Sequence, residues 1–171
     1  LATENNRQAQ QQIYTHFSPK MLGVCRQYIK DIHQAEDIMI TAFMKVFVNI
    51  KNFENKGSFE GWIRRIMVNE CISFIRVQKK IKYVEDETYF EESFNNIESQ
   101  FSTDDIQSLI DSLPDGYKTV FNLYAIEGFK HKEIASMLEI NEGTSKSQLS
   151  HARKMLQIQI NKLKNYEYGT E

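Results

Sequence analysis

Positions 83–105, YVEDETYFEESFNNIESQFSTDD, carry eight acidic residues and no basic one. The segment has no helical period, and its charge and punctuating aromatics mark a linker rather than part of a packed core. It therefore cuts the 171-residue chain into two pieces, each the size of a small domain. Fully extended, it reaches roughly 75–80 Å, enough to hold two domains apart on a large partner. Two readings stay open for it. It is a disordered spacer, or a DNA-mimicking acidic strand that threads a basic channel or shields a basic domain.

The flanking pieces differ in charge. Residues 1–82 hold 13 Lys/Arg against 7 Asp/Glu, whereas residues 106–171 hold eight of each. The net charge of −2 thus hides a basic N-terminal piece, and the distribution admits nucleic acid as a partner. At 41% hydrophobic and 26% charged, the chain can bury a core and stay in solution. No apolar run reaches the ~18 residues of a membrane span, and no charged-then-apolar leader is visible, so the expected location is cytoplasmic. The chain starts at Leu1, so its true N-terminus is not fixed by the sequence. Cys25 and Cys71 lack the close Cys or His spacing of a zinc site and read as buried reduced thiols. The four histidines are scattered, and neither metal nor cofactor is expected.

Two prolines, seven glycines and no strand alternation predict an all-α chain. In the first piece, residues 9–17 and 20–30 read as two short helices. A stronger helix follows over 35–50, where Ala35, Ile38, Met39, Ala42, Phe43, Val46, Phe47 and Ile50 make one apolar stripe. Ile40, Met44 and Val48 repeat at i, i+4, i+8 on its opposite side, flanked by Asp37 and Thr41. Such a row either packs on helix 9–30 or meets a protein partner, and the partner is the favoured reading. A polar loop around Asn55, Lys56 and Gly57 leads to Ser58, a fitting N-cap, with Glu60 and Gly61 in the first turn.

The helix after Ser58 is expected to run to about Lys80, roughly 30 Å long. Ile63, Ile66, Met67, Cys71 and Phe74 form its apolar side. Arg65, Asn69 and Arg76 line the far side, with Trp62 and Lys80 at the margin. Residues 57–82 hold six bases and two acids. Cations for phosphate, an amide for a base edge and an aromatic for stacking suit single-stranded DNA. Trp62 as a core anchor and the cations as a solvated face are the plainer alternatives.

In the second piece, Ile106, Leu109, Ile110 and Leu113 make a helix stopped by Pro114, and Tyr117, Val120, Phe121 and Tyr124 make another that ends near Gly128. Ile134, Ala135 and Leu138 define a short helix. Glu139–Asn141 is a tight turn, with Asn141 capping a longer helix, which is the layout of a helix-turn-helix. On the longer helix Ser145, Leu149, Ala152, Leu156, Ile160 and Leu163 face inward. Ser147, Ser150, His151 and Lys154 are expected to point out, flanked by Thr144, Lys146 and Gln157. Short polar and basic groups of this kind reach base edges and phosphates in a major groove. An ordinary helical hairpin with a polar surface is the alternative.

Four segments carry a family resemblance: AEDI at 35–38, GSFEGWIRRIMVNECISFIR at 57–76, SLPDGYKTVFNLYAIEGFKHKEIASML at 112–138 and EGTSKSQLSHARK at 142–154. Together they resemble the extracytoplasmic-function (ECF) sigma factors of the sigma-70 family of RNA polymerase. The resemblance implies sigma domain 2 over 1–82, an acidic linker over 83–105 and sigma domain 4 over 106–168. It implies that Asp37, Ile40, Thr41, Met44 and Val48 grip the polymerase clamp. It implies that Asn52, Asn55, Lys56, Ser58, Trp62, Arg65, Asn69 and Arg76 read the melted minus-ten element, where a base is flipped into a pocket. Thr144, Lys146, Ser147, Ser150, His151 and Lys154 would read the minus-thirty-five element. The implied partners are core RNA polymerase, through the clamp of its largest subunit and the flap of its second largest, and promoter DNA, duplex and melted. An anti-sigma factor or another recruiting protein is a further implied partner.

The sequence departs from the family pattern at Glu139, where glycine is usual, and at Ser145, where valine is usual. Gln148 and His151 replace frequent arginines. Domain 4 is left without net positive charge, and duplex binding by that domain alone is expected to be weak. No nucleophile elbow, phosphate loop or metal motif is present, so an enzyme is not expected. The competing classes are a helix-turn-helix regulator acting without polymerase, and a polymerase-binding adaptor that does not depend on DNA.

Overall fold

The computed structural model describes residues 6–78 and 102–168. The chain divides into two compact units, residues 1–80 and 81–171. The acidic stretch over 83–101 lies outside the described residues.

The first unit is three helices. Helix α1 (Arg7–Arg26) is capped by Asn6, whose side chain accepts the amides of Gln8 and Ala9. The two short helices expected over 9–17 and 20–30 are one, and Pro19 sits inside it. Proline forfeits a backbone hydrogen bond and tends to kink a helix. Here Pro19 is on the exposed side, while Met21, Val24 and Cys25 drive the inner side into the core. The helix stops at Arg26 and the chain turns, which leaves Ile29 buried in the connection rather than helical.

Asp31 then caps α2 (Ile32–Asn49), accepting the amide of Gln34 at 2.8 Å. A single 3-10 turn, Ile50–Asn52, leads to the loop before α3 (Phe59–Gln78). The inward side of α3 is Ile63, Met67, Val68, Cys71, Ile72 and Ile75. Ile66 and Phe74, expected there, are only half-buried, so the core face is rotated toward Val68 and Ile72. Cys25 and Cys71 meet in this core as free thiols. The hydrogen bond between them, with burial, pushes the Cys71 thiol far above its ordinary range.

Among the described residues the second unit holds four helices and a π turn. Ser102 caps α4 (Thr103–Asp111) in a reciprocal box with Asp105: each backbone amide is received by the other side chain, at 3.1 and 3.2 Å. Thr103 to Asp105 therefore belong to a helix rather than to the acidic stretch. Pro114 separates α4 from α5 (Asp115–Phe121), which runs into the π turn Asn122–Ile126. Next come α6 (His131–Leu138) and α7 (Glu142–Tyr168). Ile110, Leu113, Val120, Leu123, Ile134, Leu138, Leu149, Ala152 and Leu156 form the buried centre.

Candidate nucleic-acid and partner-binding surfaces

The outer side of α2 is an apolar row in solvent. Ile40, Met44 and Val48 are 49%, 61% and 77% exposed, and Asp37 and Thr41 are exposed beside them. Four-residue spacing stacks them on one face. The possibility that this row packs on α1 is ruled out, because α1 meets the other side of α2, with Tyr14 against Phe43 at 4.9 Å between ring centroids. The Thr41 hydroxyl donates to the Asp37 carbonyl at 2.9 Å, so it adds no groove of its own. Covering this row would gain up to about 1.5–3 kcal/mol per large side chain fully buried.

The loop before α3 is pinned by rings. Phe53 and Phe59 meet at 5.2 Å and Phe53 and Trp62 at 5.5 Å. Phe59 stacks on Trp62 at 5.7 Å, and Phe17 of α1 closes the cluster against Phe59 at 5.9 Å. Trp62 is thereby half-buried, an anchor with one side left to solvent. Ser58 caps α3 as its spacing predicts, its hydroxyl accepting the Gly61 amide at 2.9 Å. Between Phe53 and Ser58 the backbone turns left-handed at Asn55 (φ 55°) and Gly57 (φ 95°), conformations that asparagine and glycine tolerate. Asn52, Asn55, Lys56 and Ser58 all stand exposed on this loop. Lys56 pairs with Glu54 at 2.5 Å, and Asn52 donates to Asn49 at 3.3 Å. Both contacts are at the surface and weak enough to be exchanged for a ligand.

Past the loop, Arg65, Asn69 and Arg76 are exposed along one side of α3. The other charged groups of this helix are engaged by neighbouring parts of the unit. Glu70 receives Lys45 from α2 at 2.6 Å, Glu60 receives Lys20 from α1 at 2.5 Å, and Arg64 donates to Gln27 at 3.5 Å. The α3 side of the unit therefore offers cations, an amide and an aromatic edge together, next to a fixed polar loop. The sequence reading missed the four-ring cluster. Its members come from α1, the loop and α3, and no single helical period links them.

In the second unit α6, a turn and α7 form the helix-turn-helix. Asn141 caps α7, its side chain accepting the amide and hydroxyl of Thr144 at 2.6 and 2.9 Å. Glu139 ends α6 in the left-handed region (φ 57°, ψ 41°), the conformation that makes glycine the usual residue at such a position. Lys154 is exposed, while Lys146 and Ser150 are half-buried. Lys146 pairs with Glu142 at 2.9 Å, and that contact lowers the Glu142 carboxyl below its ordinary value.

Three of the expected DNA-facing residues are corrected. Thr144 and Ser147 are 5% and 3% exposed, turned into the unit. Thr144 is held by its cap, and the Ser147 hydroxyl donates to the Thr144 carbonyl at 3.1 Å. His151 is half-buried, its ring stacked on Tyr117 of α5 at 5.6 Å. α7 packs against both α5 and α6, with Ser145 meeting His131 of α6 and His151 meeting Tyr117 of α5, so more of its circumference is covered than a single stripe would need. Lys130 and Lys132, at the start of α6, are exposed cations beside the motif that the reading of α7 alone left out.

No group of His, Cys, Asp and Glu among the described residues could hold a metal ion. No described helix is long and apolar enough to cross a membrane.

The profile of Sigma-70 region 2 matches residues 13–81, and that of Sigma-70 region 4 matches residues 103–156. The chain is 33% identical over 135 residues to the RNA polymerase sigma factor SigV of Bacillus subtilis (strain 168), covering 79% of this chain and 81% of that one. It is 31% identical over 162 residues to the ECF RNA polymerase sigma factor SigW of the same organism, covering 86% of each. Among solved structures, the sigma factor RpoE in complex with the anti-sigma factor NepR, from Bartonella quintana, shares its fold. The TM-score is 0.51 at 22% identity, with 88% of this chain and 96% of that chain covered. Regions 2 and 4 occur in order on one all-α chain, and relatives above 30% identity span most of its length. The protein belongs to the ECF sigma factors of the sigma-70 family and is a transcription initiation factor.

Proposed function

We propose that the first unit binds the clamp of the largest RNA polymerase subunit through Ile40, Met44 and Val48, with Asp37 and Thr41 at the margin. The observation that carries this is the exposed apolar row on a helix whose other side is already buried. The loop bearing Asn52, Asn55, Lys56 and Ser58, with Trp62, Arg65, Asn69 and Arg76, takes the melted minus-ten strand. It does so by stacking on the free edge of the aromatic cluster and by phosphate contacts. The second unit positions the factor on the minus-thirty-five duplex through Lys146, Ser150 and Lys154. Thr144, Ser147 and His151 support that surface from within. The exposed apolar groove between α4 and α7, lined by Leu109 and Leu163, suits the flap of the second-largest subunit.

In this reading the chain works in the cytoplasm and carries no active site; polymerase does the chemistry. An anti-sigma factor, or another recruiting protein, controls access to the same faces.

Run-off transcription with core polymerase, with and without the chain, tests the proposal. Promoter-specific transcripts that need both the chain and strand opening support it. Tight promoter binding by the chain without polymerase, and no effect on transcription start, would instead make it a free-standing regulator.

A further inference from the structure

His131 opens α6, and Ser145 lies in the first turn of α7. They are joined across the motif by a hydrogen bond of 2.9 Å between imidazole Nδ1 and the serine Oγ. Ser145 is fully buried, and a buried hydroxyl without a partner is costly, so this bond has energetic weight. The imidazole ring stacks on Tyr124 of the π turn at 4.6 Å, interplanar angle 24°. The Arg153 guanidinium lies 5.5 Å from the centroid of that same tyrosine ring. A continuous set of contacts thus ties the π turn, α6 and two successive stretches of α7. Lys146, Ser150 and Lys154 follow Ser145 on the same rigid helix, so any tilt at Ser145 is carried along it to them.

We infer that His131 is a positioning residue: through Ser145 it sets the angle at which α7 presents Ser150 and Lys154 to duplex DNA, and its neutral ring is the working form. The inference rests on α7 being the helix that meets the minus-thirty-five duplex. The charged and titratable groups that act on or touch the ring are Lys146, Arg153 and Glu142 on α7 and Tyr124 on the π turn; Lys132 of α6 acts on Glu142. Partial burial, then Lys146 and Arg153, hold the imidazole below its ordinary value, with Glu142 opposing them. A histidine depressed in the folded state gives its full stabilisation above its unfolded value of about 6.5, and loses it as pH falls through that value toward the folded one. Protonation makes both ring nitrogens donors and sets a third cation beside Lys146 and Arg153. The added charge disturbs the geometry at the start of α7.

The test uses polymerase holoenzyme assembled with the full chain, on the promoter it selects from a random library. The readout is the ratio of affinities for the selected promoter and for one mismatched only at minus-thirty-five. It is measured at about pH 7.5, and again at a pH below the ordinary histidine value at which the His131 proton resonances show the ring protonated. The wild-type ratio is expected to fall roughly threefold to tenfold on acidification, within the span of a single mismatch. Ser145→Ala and His131→Gln should start from a lower ratio at neutral pH and respond little to acid. If both keep the wild-type ratio and the wild-type pH response, the inference is overturned. A wild-type holoenzyme that ignores the minus-thirty-five sequence at either pH would sink the underlying assignment of α7 instead.

A second measurement stands if Ser145→Ala fails to fold. The imidazole proton resonances of the full chain are titrated, with His131 assigned by the signal missing in His131→Gln. A His131 that titrates at or above the ordinary histidine value overturns the inference; one below it supports it.

Discussion

The two units bury their helices by different means. Among the described residues, every buried side chain of the first unit is apolar. The second unit buries Lys118, Thr119, Asn122, Thr144, Ser145, Ser147 and Gln148. An apolar core is non-directional: it holds α1, α2 and α3 together and leaves their outer faces free to carry an unpaired apolar row and a cationic edge. A core with buried polar groups is directional. Lys118 of α5 pairs with Asp111 of α4, and Ser145 of α7 meets His131 of α6. Such bonds add little net stability but cost much when half-made, so they fix the angles between helices. On the proposed assignment, the unit whose α7 is presented to a DNA groove is the one whose helix angles are fixed by directional contacts, and the unit that offers broad surfaces to a protein and a melted strand is the one held by a firm apolar core.

The sharpest way to break this contrast is to open each core. Phe43→Ala, in the first unit, removes a ring that is 2% exposed and should cost about 3–5 kcal/mol, read from denaturant unfolding of the full chain. In the second unit, Asp111→Ala leaves the Lys118 ammonium buried without this partner and should cost about 1–3 kcal/mol. The double change Asp111→Ala with Lys118→Met should recover most of that loss. If it does not, the pair is more than a compensated burial and the directional reading needs revision. Glu139→Gly relieves a left-handed non-glycine residue and should add about 1 kcal/mol to the same unit, visible as a later second transition in thermal melting. The smallest effect belongs to Ser147→Ala, within about 0.5–1.5 kcal/mol for one intramolecular hydrogen bond. Because Ser147 is buried, the substitution should leave base preference unchanged in a selection experiment. A changed preference would return Ser147 to the DNA surface.

The helices were legible in the sequence because their apolar periods are long and their caps are explicit: Asn141 and Ser58 cap as their spacing predicts. The row of Ile40, Met44 and Val48 was legible for the same reason, as a second regular four-residue apolar spacing on α2; its exposure is seen only in the structure. Pro19 misled because proline usually ends a helix, and here packing on either side of it overrode that tendency. Thr144, Ser147 and His151 were placed outward because a helical wheel assigns one inner stripe. The start of α7 has neighbours on more than one side, which only the tertiary arrangement reveals. The bond between His131 and Ser145 joins residues whose separation carries no periodic signal.

In the proposed function the grips on polymerase and on melted DNA both lie in the first unit, on separate faces. Permanganate detection of promoter opening, measured as the full chain is titrated into core polymerase, tests it most directly. Met44→Asp should require at least about tenfold more chain for half-maximal opening yet reach the wild-type plateau, the loss expected of a central apolar contact. Arg65→Ala combined with Asn69→Ala should keep the wild-type half-saturation and lower the plateau. A Met44→Asp curve superimposed on that of the wild type would contradict the assignment of the α2 face, and with it the division of the two grips between separate faces.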